Sequence, residues 1–154
     1  STITDGYFIG DITAAAGYIG GLIGRLYGSP DGSTTTVSNA YYVGNMEFPN
    51  TVVEYGGIIG HIQTGSYPHA ALDGLLYLAD FPDSVLAKAA DKDGDGDISG
   101  YDMQQITNGD DLKDQDILED TYEVPWNFTT TWALNPSYND GYPYLLNNPP
   151  VQAD

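Results

Sequence analysis

The chain has 154 residues and carries 22 acidic side chains against only Arg25, Lys88, Lys92 and Lys113, for a formal net charge of −18. A surface of that sign repels phosphate backbones and anionic lipid, which excludes nucleic-acid and membrane-surface binding. The absence of cysteine excludes disulfide frameworks and thiolate metal sites, and no apolar run is long enough to insert into a bilayer.

The first 80 residues read as Gly-punctuated strands that repeat. Gly6-Tyr7-Phe8-Ile9-Gly10 is echoed by Ala40-Tyr41-Tyr42-Val43-Gly44 at an offset of 34. Tyr18-Ile19-Gly20-Gly21-Leu22-Ile23-Gly24-Arg25-Leu26 is echoed by Glu54-Tyr55-Gly56-Gly57-Ile58-Ile59-Gly60-His61-Ile62 at an offset of 36. A weaker third copy begins at Asp73-Gly74-Leu75-Leu76-Tyr77-Leu78. Between the first two units, Gly28-Ser29-Pro30-Asp31-Gly32-Ser33 is a strong turn signal. Short β-branched and aromatic runs with Gly at the corners predict units stacked about 4.8 Å apart, since Gly permits sharp bends and close backbone approach. His61 sits where the first unit has Arg25, and the spacing predicts a surface position for it. His69 is isolated, and neither histidine has metal-ligand spacing.

A helix is predicted over 84–90, started by Pro82-Asp83, and a second short one over 101–106. Between them runs Asp91-Lys92-Asp93-Gly94-Asp95-Gly96-Asp97-Ile98-Ser99-Gly100-Tyr101-Asp102, which has the ligand spacing of a twelve-residue calcium loop. Asp91, Asp93 and Asp95 take the first three carboxylate positions, Gly96 makes the sharp turn, Asp97 offers its carbonyl, Ser99 ligates directly or through water, and Asp102 closes the loop. Asp102 is shorter than the usual Glu at that place, as in the dockerin-type and EF-hand-like loops that this segment resembles. A second acidic group, Asp110, Asp111, Asp114 and Asp116, has no defined loop spacing and is either a further ion site or a solvated face. From Tyr122 the pattern returns to aromatic and Thr-rich strand, with turns at Asn135-Pro136 and Asp140-Gly141 and a tail at Pro149-Pro150. Asn127-Phe128-Thr129 is a sequon, which makes Asn127 a glycosylation candidate.

The Gly-Gly-Leu-Ile-Gly and Gly-Gly-Ile-Ile-Gly units resemble the GLUG repeat of bacterial and archaeal surface proteins. The C-terminal part is similar to the segment that closes such arrays, with Leu112-Lys113-Asp114-Gln115, Trp126-Asn127-Phe128, Trp132-Ala133-Leu134 and Gly141-Tyr142-Pro143-Tyr144-Leu145 in order. The resemblance implies an extracellular β-solenoid-like module without catalytic activity. The expected architecture is therefore mostly β: a short β-solenoid or β-helix-like repeat module with a small helix and an inserted EF-hand-like calcium loop. It forms one domain over 1–154, with repeats at 1–80, helix and loop at 81–120, and closing strands at 121–154.

Three functions compete. A polysaccharide-active β-helix enzyme needs a basic residue beside its calcium, and four basic residues in all supply little for it, so no enzyme is expected. An adhesin would present tyrosines such as Tyr142 and Tyr144 to a carbohydrate or protein ligand. A self-assembling subunit of a cell-surface or extracellular filament would use its exposed end strand, around residues 3–12, or the Pro-rich tail against a neighbouring copy. Bound at a dissociation constant of about 10 μM in about 1 mM calcium, the ion stabilises the fold by about 2.7 kcal/mol. Chelator, or Asp93→Ala combined with Asp95→Ala, is therefore expected to lower the thermal midpoint by several degrees, and a melting curve indifferent to both would remove the calcium loop from consideration.

Overall fold

The computed structural model describes residues 1–15, 17–27, 34–47, 54–63, 70–78 and 103–150. Among these the chain is mostly strand, with one short α-helix. The first unit runs through β1 (Thr2–Ile9), β2 (Ile12–Thr13), β3 (Tyr18–Gly20) and β4 (Leu26–Tyr27), and the second through β5 (Thr35–Val43), β6 (Met46–Glu47), β7 (Glu54–Gly56) and β8 (Ile62–Gln63). Each strand of the first unit pairs in parallel with its counterpart in the second. Gly6 lies opposite Ala40 and Ile12 opposite Met46, Gly20 lies opposite Gly56, and Leu26 opposite Ile62. Residues alike in the two sequence units are thus bonded neighbours. The third copy is β9 (Ala70–Leu78), parallel to β5 with Tyr42 opposite Tyr77.

The next strand, β10 (Met103–Gln105), pairs in parallel with β9, Met103 opposite Leu75. This completes a four-stranded sheet in the order β1-β5-β9-β10. The sequence predicts helix over 101–106, and the structure replaces it with this strand over 103–105. Met and Gln are good helix formers, but the backbone groups of the β9 edge offer a ladder, and pairing there outweighs a propensity difference of a few tenths of a kcal/mol per residue. The helix predicted over 84–90 lies outside the described residues.

One conformational device divides the side chains of the large sheet between two cores. Asp5, Asn39 and Gly74 stack at equivalent places in β1, β5 and β9, and all have left-handed backbones, with φ of 57°, 54° and 60°. Asp, Asn and Gly are the residues that tolerate this region. The Asn39 side-chain amide donates to the Asp5 carboxylate at 3.2 Å. Strict alternation would send residues three apart to opposite faces, but the left-handed residue resets it. Val37 and Ala40 therefore share one core with Tyr42, Leu72, Leu75 and Tyr77, packed against Met46, Ile19, Leu26, Ile58, Ile59 and Ile62. Tyr41, Val43 and Leu76 point to the other side.

Within the first core the Gly-Gly motif has a specific use. A Cβ on Gly21 would lie 2.3 Å from Cγ of Tyr42, and one on Gly57 would lie 2.3 Å from Cγ of Tyr77. Each corner is a seat for the inward aromatic of the following unit. The Tyr42 hydroxyl then reaches the carbonyls of Gly10 and Asn45, each at 3.1 Å.

The second face of the sheet is closed by the segment from Ile106 onward. Leu112, Leu118, Val124, Trp126 and Trp132 bury against Tyr41, Val43 and Leu76. Trp126 and Trp132 stack at 4.8 Å, and Trp126 donates its indole N–H to the Gly74 carbonyl at 2.9 Å. Asp114 caps α1 (Gln115–Asp120) by accepting from the amides of Asp116 and Ile117. The strands expected from Tyr122 onward reduce to β11 (Trp132–Ala133) and β12 (Tyr144–Leu145), an antiparallel pair. The remainder is turns, because burying two indoles against the sheet takes priority over extended pairing. The turns predicted at Asn135-Pro136 and Asp140-Gly141 are present, since Tyr138 N–H donates to the Asn135 carbonyl and Gly141 N–H to that of Tyr138; the turn predicted at 28–33 lies outside the described residues.

Gly21→Ala and Gly57→Ala are each expected to cost about 2–3 kcal/mol by overpacking against a tyrosine ring, and at Gly21 against the Gly57 carbonyl as well. Gly6→Ala, where a Cβ meets nothing within 4 Å, should change stability by less than about 1 kcal/mol. Urea unfolding of the three variants checks the seat, and equal effects would disprove it.

Candidate functional site

All six residues of the expected calcium loop, Asp91, Asp93, Asp95, Asp97, Ser99 and Asp102, lie outside the described residues. The structure does define what brackets them. β9 ends at Leu78 and β10 begins at Met103, one residue beyond Asp102, and these strands are bonded neighbours. The loop therefore belongs to a segment that leaves the end of one strand and returns to the start of the strand beside it.

The second acidic group is described, and the carboxylates of Asp110, Asp111 and Asp114 have local partners, whereas Asp116 is exposed. Asp111 accepts from the Asn108 side-chain amide at 2.9 Å and from the Tyr122 hydroxyl at 3.0 Å. Asp114 is the helix cap, and Asp110 lies 3.9 Å from the Lys113 ammonium. Among the described residues no three His, Asp or Glu side chains come together as a metal-holding group. Asp111 and Asp114 brace a turn and a helix start.

Three further sequence readings have definite positions. Asn127 is exposed, and its Oδ1 accepts from the amides of Thr129 and Thr130, both at 2.9 Å, which fixes the sequon in a tight turn on the surface. His61 is not on the surface as predicted. It is buried, with its ring 4.4 Å from that of Tyr18, because the close Gly-Gly corners draw the adjacent chain inward. Tyr144 is also buried, beside Tyr138, and Tyr142 lies under the Lys113 ammonium at 4.7 Å. The tyrosines singled out for ligand stacking are thus largely committed to internal packing.

The end strand around residues 3–12, expected to contact a neighbouring copy, carries exposed apolar side chains at the outer position of the large sheet. Ile3, Val37 and Leu72 are equivalent positions in three successive strands, with exposures of 48%, 0% and 4%. Phe8, Tyr42 and Tyr77 form a second such column, with exposures of 41%, 0% and 1%. Phe8 stacks on Tyr42 at 5.9 Å. It has no Gly-Gly seat of its own among the described residues, because the seat of each aromatic comes from the preceding unit. β1 also occupies the outer position in the sheet order. The sequence signal for it is that Ile3 and Phe8 of the first unit are apolar at the positions where β5 and β9 bury Val37, Leu72, Tyr42 and Tyr77.

Burial governs the titration of the phenols. It raises Tyr41 well above the ordinary tyrosine range, against the opposing hydrogen bond from Asn139. Tyr42 is pushed up to about 12 by burial, with the negative charge of Asp11 adding to it. Both remain neutral donors at any physiological pH. Comparison of the chain with protein-family models, with curated proteins and with solved structures returned no match.

A phenol whose folded-state pKa lies above its unfolded value near 10 holds more protons folded than unfolded at alkaline pH. Stability is intact below about pH 10 and falls as pH rises toward 12. Tyrosinate absorbance and circular dichroism are expected to change together over that interval, and Tyr42→Phe should displace the transition upward. Full tyrosine ionisation at pH 11 with the fold intact would contradict this assignment.

Proposed function

We propose that this protein is an extracellular, calcium-stabilised structural protein: a short β-solenoid that serves as a self-assembling subunit of a cell-surface or extracellular filament. The observation that carries this reading is the uncovered column at β1, where Ile3 and Phe8 stand exposed in positions that β5 and β9 bury. A stack of parallel units has no intrinsic stop, so its uncapped end is a surface for another chain.

Calcium fits the same reading. Twelve of the 22 acidic residues fall between Asp83 and Asp120, and like charge at that density opposes compaction until cations neutralise it. A calcium ion held by Asp91, Asp93, Asp95, Asp97, Ser99 and Asp102 would staple the chain between β9 and β10 and secure the far side of the large sheet. The resemblance to GLUG-repeat surface proteins and the exposed Asn127 sequon agree with a location outside the cell.

A second reading, an adhesin module, has one observation in its favour. Gln115, Glu119 and Asn127 flank the half-buried Phe128 along a shallow groove beside α1, a polar-and-aromatic surface of the kind that suits a carbohydrate. The buried Tyr144 weakens it.

Light scattering and electron microscopy of the purified protein, with calcium added and then chelated, test the first reading. Assemblies that grow with calcium and shrink in chelator are expected. A particle that stays monomeric at high protein and calcium concentration while binding a glycan would establish the adhesin reading in its place.

A further inference from the structure

The exposed apolar side chains of β1 are accompanied by a regular pattern of backbone groups that turn away from β5 and bond to nothing among the described residues. Thr36 N–H donates to the Ser1 carbonyl and Gly10 N–H to the Val43 carbonyl, both at 2.9 Å. In a parallel ladder alternate residues turn both backbone groups toward the partner strand, so Ser1 and Ile3 face β5 at one end of β1, and Phe8 and Gly10 face it at the other. The left-handed Asp5 (φ 57°) sits between them and switches the alternation. The groups left pointing away from the sheet are those of Thr2 and Thr4 before the switch, and of Tyr7 and Ile9 after it. These four positions are symmetric about the Asp5-Gly6 peptide.

We propose that β1 is a self-recognition edge: two copies of this chain pair β1 to β1, antiparallel, around a two-fold axis at Asp5-Gly6. In that register Thr2 bonds with Ile9 of the other copy and Thr4 with its Tyr7. Ile3 of each copy lies against Phe8 of the other on the same face, and the two uncovered columns close over one another. An isologous contact of this kind needs only one self-complementary patch, and the spacing of the outward groups supplies it.

Charge favours a second copy as the occupant. The chain carries −18, yet residues 1–27 contain only Asp5, Asp11 and Arg25 as charged side chains. Two strongly acidic molecules can approach through this nearly neutral end. The edge is also unguarded: β1 is eight residues long and has neither the Lys nor the Pro that ordinarily blocks strand addition. The pairing rests on the self-assembly reading above and gives it a geometry, since β1 is consumed in a two-fold pair and any filament must grow through a second, different contact at the far end.

Sedimentation equilibrium in calcium, over a wide protein concentration range, reads the association. Thr4→Pro removes an N–H that β5 does not use, so the fold should survive while dimerisation weakens by at least about tenfold. Because the chain has no cysteine, a disulfide formed by Gly6→Cys reports the axis directly. Gly6 has open space for a side chain, and its two copies flank the axis within disulfide reach. Gly6→Cys is expected to yield about tenfold more cross-linked dimer than Thr121→Cys, at an exposed site on the closing segment.

Assembly that is unaffected by Thr4→Pro and yields no Gly6→Cys dimer would overturn the two-fold pairing and leave self-assembly standing by another surface. A wild-type protein that is monomeric at every concentration would overturn both. If that monomer bound a synthetic peptide copying residues 35–43, the edge would belong to a parallel strand from a different partner.

Discussion

The structure depends on register. Once Gly6 lies opposite Ala40, every other pairing between the first and second units is constrained, because the corners Gly20-Gly21 and Gly56-Gly57 must superpose for the tyrosine of the following unit to find its seat. A slip of one residue would bring Tyr41 rather than Tyr42 toward the first core and would set a Cβ where Gly21 now touches the ring. Backbone pairing and aromatic packing therefore specify the same alignment. Agreement of that kind allows a chain with so many glycines to adopt one arrangement in spite of the entropy that glycine loses on folding.

The large sheet serves two cores. Its inner face packs on the corners of the repeat, and its outer face receives Trp126 and Trp132 from the closing segment. The stacked left-handed residues Asp5, Asn39 and Gly74 decide which tyrosine goes where. Gly74 also gives up space: a Cβ there would approach the Pro125 ring to 2.6 Å, and its carbonyl takes the Trp126 indole N–H. One residue thus turns the strand, admits the closing segment and anchors it.

Charge and hydrophobic surface are kept apart along the chain. Acidic residues concentrate where the calcium loop is expected, between β9 and β10, whereas the β1 end is nearly neutral and carries exposed Ile3 and Phe8. A cation would relieve repulsion at the first region, and a second chain would remove apolar surface from water at the other. The proposed calcium site and the proposed β1 contact therefore share no residues and can be perturbed separately.

By itself, the sequence determined that the chain is built of repeats, where those repeats align, and that a calcium-loop spacing follows the third copy. These features are local spacings of Gly, Asp and apolar residues, which survive without knowledge of what they touch. Only the tertiary structure decided that 103–105 is a strand, since pairing with β9 is supplied from 28 residues away. It also decided that His61 and Tyr144 are buried, because their surroundings come from other units and from Tyr18 and Tyr138. The adjacent Tyr41 and Tyr42 have identical side chains and nearly identical neighbours in sequence. Alternation sends them to opposite cores, but which tyrosine faces which core is set by one left-handed residue, Asn39, whose effect becomes visible only when three strands stack its equivalents in a column.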